Sequence, residues 1–166
     1  SWRGELEITD AIGYLLDCDS KVTAHKLKEW WMDCGNHIDL LAANQKVLSE
    51  IIQPDILGQV DSTSNLVGAV SVAEAATVYE SKLNGPIALA KGVQIYRSSI
   101  GPNTSVGESC VISNSNVENC VILSGATIDG VENLKDSVIG NRTVIRGKPL
   151  EGPARIVIGD DAEVFV

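Results

Sequence analysis

The chain has 166 residues, a length that predicts one domain or one domain with part of another. Its 13 basic and 22 acidic residues leave a net charge of −9, which argues against non-specific nucleic-acid binding and against a basic membrane-surface protein. The hydrophobic content of 44% fits a globular protein, and no membrane-length apolar run or signal peptide opens the chain, so we predict a soluble cytoplasmic protein.

The first predicted element is a short amphipathic helix. Apolar residues recur at helical spacing between residues 6 and 16. Thr9 and Asp10 offer side-chain oxygens for an N-cap, so we predict a helix over residues 10–17. Residues 21–27 alternate loosely in polarity and are predicted as a strand.

A second amphipathic helix follows. Its inward face is predicted from the i, i+3, i+4 spacing of Ile38, Leu41, Ala42, Gln45, Leu48 and Ile52. Asn36 is its predicted N-cap, and Pro54 ends it. Up to Pro54 the chain has the pattern of an α/β segment.

The period changes after Pro54. Aliphatic residues then recur at steps of five or six, at Val60, Leu66, Val72, Val78, Leu83, Leu89, Ile95, Ile100, Val106, Ile112, Val117, Ile122, Ile128, Leu134, Ile139 and Ile145. This step is neither the 3.6 of a helix nor the 2 of a strand. A fixed period of this kind indicates a repeat architecture, with an ordinary β-sandwich as the alternative.

Three such steps make one triangular turn of about 17 or 18 residues, with three short parallel strands around a narrow aliphatic core. Small residues allow the chain to turn the corners, where Asn and Gly tolerate positive φ. The sixteen positions predict about five stacked turns. The step resumes from Ile158 to Val164, so the Pro- and Gly-rich residues 146–153 are predicted to form an excursion between turns.

The cysteines are Cys18, Cys34, Cys110 and Cys120. No pair has CxxC spacing, and no cluster of Cys and His matches the ligand spacing of zinc. We predict four free thiols that act as small buried residues.

The repeat resembles the hexapeptide repeat of left-handed β-helices, best in residues 72–77 and 100–107. The first half resembles a more specific family. Residues 3–12 (RGELEITDAI), 30–35 (WWMDCG), 39–44 (DLLAAN) and the ending 155–164 are similar to segments of glucose-1-phosphate thymidylyltransferases in their long form, which carries a C-terminal β-helix.

The resemblance implies a mainly β fold, with a left-handed parallel β-helix over residues 54–166. Residues 1–53 would be the C-terminal part of a Rossmann-like α/β nucleotidyltransferase domain. Because the chain begins Ser1-Trp2-Arg3 and lacks the glycine-rich phosphate loop of the family, we predict a C-terminal fragment that is inactive alone.

The implied reaction joins dTTP and glucose 1-phosphate into dTDP-glucose and pyrophosphate, with Mg²⁺ as cofactor. Arg3 matches the family arginine that binds the sugar phosphate, a task suited to a planar, bidentate cation. Asp33 matches the family aspartate that binds Mg²⁺, for which carboxylate oxygens are natural ligands. Cys34 departs from the family pattern, which usually has Thr there.

Several points stay open from sequence. A UTP-, ATP- or GTP-dependent sugar nucleotidyltransferase would share this architecture, and so would a hexapeptide-repeat acyltransferase. The acyltransferase usually requires a His base in the repeats, whereas His25 and His37 both precede them. The β-helix is predicted to be an oligomerisation or regulatory module of a homo-oligomer, with no nucleic-acid or membrane partner.

Overall fold

We analysed a computed structural model, which describes residue 4 and residues 6–50, 53–147 and 152–166. The described residues form two helices and 17 strands. They divide into two compact units, Ser1–Trp31 and Met32–Val166, each of which is described by itself. The predicted boundary after residue 53 divides the end of a nucleotidyltransferase domain from the β-helix domain of a longer protein. This boundary stays a prediction.

Helix α1 (Ile8–Asp17) belongs to the first unit and has no buried residue. It begins two residues before the predicted start because Glu7, in an extended conformation, is its N-cap. The prediction that Thr9 or Asp10 caps the helix is therefore wrong. Both lie in the first turn, where Asp10 places a negative charge at the positive end of the helix dipole.

The predicted strand over residues 21–27 is also wrong. This segment has no regular secondary structure. It pairs with no strand among the described residues, since all the paired strands lie after residue 54. A loosely alternating pattern does not make a strand without a partner that satisfies its backbone N–H and C=O groups.

Helix α2 (His37–Glu50) belongs to the second unit and has the predicted N-cap. The Oδ1 atom of Asn36 accepts hydrogen bonds from the backbone N–H groups of Ile38 at 2.9 Å and Asp39 at 3.0 Å. These are two of the amides that a helix leaves without an internal partner. Leu41 and Leu48 of the predicted inward face are buried, whereas Ile38 is exposed, so the prediction is wrong for Ile38.

The strands form a parallel β-solenoid with three faces. The first face contains β1 (Asp55–Ile56), β4 (Val70–Val72), β7 (Ile87–Leu89), β10 (Thr104–Val106), β12 (Asn116–Ile122), β14 (Leu134–Ile139) and β16 (Val157–Ile158). The second contains β3 (Asn65–Val67), β6 (Lys82–Asn84) and β9 (Ser99–Ile100), with the first residues of β12 and β14, which bend around the corner. The third contains β2 (Gln59–Val60), β5 (Thr77–Tyr79), β8 (Gln94–Tyr96), β11 (Val111–Ser113), β13 (Thr127–Asp129), β15 (Val144–Arg146) and β17 (Glu163–Phe165).

The register of the turns confirms the predicted repeat. Leu66 pairs with Leu83, which pairs with Ile100, so that on this face equivalent positions lie 17 residues apart. The solenoid has about six turns, one more than predicted, because the tail contributes β16 and β17. The stacking of parallel strands is consistent with the left-handed β-helix that the repeat predicts.

The excursion is short. Val138 pairs with Val157 and Val144 with Glu163, in each case 19 residues apart. The segment predicted over residues 146–153 therefore adds two residues to a 17-residue turn, and residues 148–151 lie outside the described residues.

The predicted inward positions form the core. Every one from Val72 to Ile145 is buried, and Val60 and Leu66 pack against the same cluster, as do Ile158 and Val164 of the tail. Each position stacks on its equivalent in the next turn. The predicted fold class, a mainly β hexapeptide-repeat helix, is confirmed.

A ladder of serines runs along one corner of the solenoid. The hydroxyl of Ser81 accepts a hydrogen bond from the backbone N–H of Ser98 at 3.1 Å, and that of Ser98 accepts one from the N–H of Ser115 at 3.2 Å. Each hydroxyl also donates to a carbonyl of its own turn; for Ser98 the acceptor is the Tyr96 oxygen at 2.7 Å. The ladder satisfies buried amides that no strand pairs.

Replacement of Ser98 by Ala is expected to destabilise the protein by about 1–3 kcal/mol, because the buried N–H of Ser115 then loses its acceptor. Urea unfolding followed by circular dichroism measures the change. Ser99→Ala is the matched control, since Ser99 lies on the outer side of β9 and its hydroxyl makes no hydrogen bond to the described residues; its effect should stay within about 0.5 kcal/mol. Equal effects of the two substitutions would show that the ladder contributes nothing.

Candidate functional site

Asp33 lies in the irregular segment immediately before α2, and its side chain is exposed. The segment ends at the cap, Asn36, so the carboxylate stands three residues before the cap of the helix. The Asp33 Oδ1 atom lies 3.5 Å from the position that a Cβ on Gly35 would occupy. This is an ordinary van der Waals distance, so residue 35 does not crowd the carboxylate.

Arg3, the predicted ligand of the sugar phosphate, lies outside the described residues. Its role stays a prediction. The site is therefore described from Asp33 and its surroundings.

The donor set for Mg²⁺ can be tested against the described residues. Asp33 offers the hard, exposed carboxylate oxygen that Mg²⁺ prefers. Among the described residues no group of three or more His, Cys, Asp or Glu side chains could hold a metal ion. Asp33 therefore suits the role of one ligand, which fits the way Mg²⁺ is usually held, by one or two carboxylates with waters and substrate phosphates.

The helix that follows Asp33 packs on the first face of the solenoid, against β10, β12 and β14. Leu41 and Leu48 are its buried anchors, at 6% and 2% exposure. The Nδ2 atom of Asn44 donates a hydrogen bond to the backbone oxygen of Asn103 at 3.1 Å. The helix is thus attached to the solenoid by both apolar and polar contacts.

A chain of polar side chains continues from α2 across one corner of the solenoid. The Nε2 atom of Gln45 donates to the Oδ1 atom of Asn119 at 2.8 Å. The Nδ2 atom of Asn119 in turn donates to the Oδ1 atom of Asp136 at 2.8 Å. Arg155 ends the chain with a 3.0 Å ion pair to the other carboxylate oxygen of Asp136. These residues border an open cleft of about 370 Å³ beside the start of α2.

Sequence reasoning did not identify this chain of contacts. Its members Asn119 and Asp136 have positive φ angles of 52° and 48°, as does Asn103 at 57°. Asn and Asp tolerate this conformation better than other residues. An Asn or Asp recurring once per turn at a corner was the available signal, although it indicates a turn and not a contact with α2.

Among the described carboxylates, the one with the most strongly lowered pKa is Asp61, in the first turn of the solenoid. Hydrogen bonds from the hydroxyls of Ser64 and Thr63 lower the pKa of Asp61 to about 2. The same carboxylate accepts from the N–H of Glu80 in the next turn at 3.2 Å. Asp61 is therefore a corner residue that stays charged, and its oxygens accept hydrogen bonds that stabilise the corner.

The four cysteines divide into a buried pair and an exposed pair. All four are free, as predicted. Cys110 and Cys120 are buried, and burial raises the pKa of Cys120 to about 12, so its thiol stays protonated. The prediction that all four are buried is wrong for Cys18 and Cys34, which are exposed.

The fold places the chain in the class of hexapeptide-repeat β-solenoids, here with a helix packed on one face and an exposed carboxylate just before it. Within the described residues no helix is long and apolar enough to cross a membrane. No family model matches the chain.

Curated relatives give a more particular similarity. The chain is 41% identical over 167 residues to glucose-1-phosphate thymidylyltransferase of Streptomyces griseus, and 40% identical over 168 residues to that of Streptomyces antibioticus. It is 33% identical over 168 residues to the low-salt glycan biosynthesis nucleotidyltransferase Agl11 of Haloferax volcanii.

These alignments cover 99–100% of the chain and 47% of each relative, so the chain spans about half the length of the curated relatives it matches. It corresponds to their C-terminal part. The family resemblance drawn from the motifs is confirmed at this level: the chain is homologous to the C-terminal part of glucose-1-phosphate thymidylyltransferases.

Proposed function

We propose that the chain is part of a sugar-1-phosphate nucleotidyltransferase that makes dTDP-glucose and pyrophosphate from dTTP and glucose 1-phosphate. The observation that carries the proposal is the 41% identity to the Streptomyces griseus thymidylyltransferase, over an alignment that spans the whole chain. Since the chain spans about half of that relative, the activity belongs to the longer protein.

In the proposed reaction a phosphate oxygen of glucose 1-phosphate attacks the α-phosphorus of dTTP. The new oxygen–phosphorus bond forms as the bond to the β-phosphate breaks, and pyrophosphate leaves with the electron pair. The work of the protein is positioning and the neutralisation of charge. Arg3 would bind the sugar phosphate through its planar, bidentate guanidinium group.

Asp33 would be one ligand of Mg²⁺. The ion, when bound, neutralises phosphate charge as a Lewis acid. The exposed carboxylate supports this role, because a ligand must be reachable from solvent.

The solenoid itself would serve as an oligomerisation or regulatory module of a cytoplasmic homo-oligomer. An acyltransferase role is less well supported, since the usual catalytic base is a His and both histidines, His25 and His37, precede the first strand at Asp55. The flat outer faces of the stacked strands are suited to self-association.

The test is Asp33→Asn in the full-length protein. The substitution keeps the size of the side chain and removes the charge, so kcat for pyrophosphate release should fall by roughly 100-fold or more, because metal-based charge stabilisation contributes several kcal/mol. Arg3→Gln should raise KM for glucose 1-phosphate.

Glu108→Gln is the matched control, an exposed carboxylate on a corner of the solenoid, and should leave kcat unchanged. Wild-type rates in the Asp33→Asn variant would exclude the proposed role of Asp33. A full-length protein that releases no pyrophosphate with any nucleotide would overturn the proposed function itself.

A further inference from the structure

The segment that carries Asp33 is fixed to the first turn of α2. The Asn36 side chain accepts from two amides of that turn, and its Nδ2 atom donates to the Asp39 carboxylate at 2.5 Å. Asp33 stands three residues ahead of this cap. The position of α2 therefore also fixes the point at which the segment with Asp33 joins the helix.

The solenoid sets the position of α2. Apolar packing through Leu41 and Leu48 holds the helix on the face, and the hydrophobic effect behind it is not directional. Hydrogen bonds are directional. The Gln45 amide bonds to Asn119 at only one axial position, and a slide of one helical turn, about 5.4 Å, would break that bond.

The polar chain also fixes its own corner. Asn119 uses its oxygen toward Gln45 and its nitrogen toward Asp136, so both ends of the amide are committed. The carboxylate of Asp136 is shared between Asn119 and Arg155, which comes from the last turn. Two turns and the tail of the solenoid thus fix the position of the Asn119 oxygen that accepts from Gln45.

We propose that the solenoid positions the Mg²⁺-binding segment of the enzyme, and that Gln45, Asn119 and Asp136 are positioning residues that act through α2. This inference rests on the proposed function, and it gives the solenoid a role in the reaction beyond self-association. In this proposal Asp33 is the residue that contacts the metal. The three positioning residues act through α2 and contact neither the metal nor the substrate.

The test uses Gln45→Met in the full-length protein. Methionine keeps the length and helix propensity of Gln and lacks the amide donor, so the packing of α2 is retained while the hydrogen bond to Asn119 is lost. Ser49→Ala is the control on α2, because the Ser49 hydroxyl bonds only within the helix, to the Lys46 oxygen at 3.0 Å.

Two readouts are taken. In the first, the Mg²⁺ concentration for half-maximal pyrophosphate release should rise about three- to tenfold in Gln45→Met, with KM for glucose 1-phosphate unchanged. In the second, hydrogen exchange of the full-length protein without Mg²⁺ should accelerate about tenfold over residues 36–44 and remain at the wild-type rate in β8. Ser49→Ala should change neither.

The outcomes separate this inference from the proposed function. Unchanged Mg²⁺ dependence, or unchanged exchange over α2, would overturn the positioning role while wild-type turnover with dTTP still stands. An absence of turnover in the wild-type protein would overturn the proposed function, and the inference that rests on it, whatever the exchange data show.

Discussion

Replacement of Gly101 by Ala is expected to destabilise the solenoid by about 3 kcal/mol or more. Because proteins are only marginally stable, a loss of this size is enough to remove the variant from the soluble fraction. A Cβ at this position would lie 2.0 Å from the backbone oxygen of Asn84 and 2.6 Å from the Cδ1 atom of Ile87. Gly101 also has a φ of +95°, which a side chain disfavours. The neighbouring turn thus comes too close for any side chain.

Urea unfolding compares the variant with wild type. Gly159→Ala is the matched control, because a Cβ there would meet nothing within 4 Å and its φ lies outside the positive range; we expect a change within about 0.5 kcal/mol. A Gly101→Ala protein as stable as this control would show that the turns are not stacked as closely as the structure has them.

The second large effect is expected from Ile112→Ala, at about 2–5 kcal/mol, because the deletion leaves a cavity in the closely packed core. Ile112 is fully buried and pairs with Ile95 in the turn before and Ile128 in the turn after. Since each turn is stabilised by its neighbours, protection from hydrogen exchange should fall most in these three turns.

Val111→Ala is the control for this core substitution. Val111 lies next to Ile112 on the same strand and points to the outer side, where it is partly exposed. Its loss should cost less than about 1 kcal/mol. Comparable losses at the two positions would contradict the assignment of the inward face.

The solenoid was predictable because the spacing of the aliphatic residues in the sequence equals the period of the fold. One aliphatic residue must point inward from each short strand, so the spacing of Leu83, Leu89 and Ile95 reports the length of each side of the triangle. The N-cap at Asn36 was predictable for a similar reason, since it depends on residues two and three positions away.

The start of α1 was not predictable because Glu7 is not a typical capping residue, whereas Thr9 and Asp10 carry typical capping oxygens. Features that depend on distant residues were not predictable either. The contacts of α2 join residues far apart in sequence, 59 positions for Asn44 and Asn103 and 74 for Gln45 and Asn119. No local pattern encodes such pairs.

The candidate site was predicted through family resemblance, and not through spacing. An exposed aspartate before a helix is an ordinary surface residue by physical criteria alone, and Asp33 has that appearance in the structure. The positioning chain behind α2 became visible only once the fold placed Asn119 and Asp136 at the same corner.

A pyrophosphate-release assay with Mg²⁺, glucose 1-phosphate and each nucleoside triphosphate in turn is the decisive measurement, made on the full-length protein and on this 166-residue chain alone. We predict release by the full-length protein with dTTP and none by the chain alone, since it lacks the glycine-rich phosphate loop of the family. Turnover by the chain alone, or a full-length protein that does not use dTTP, would contradict this account.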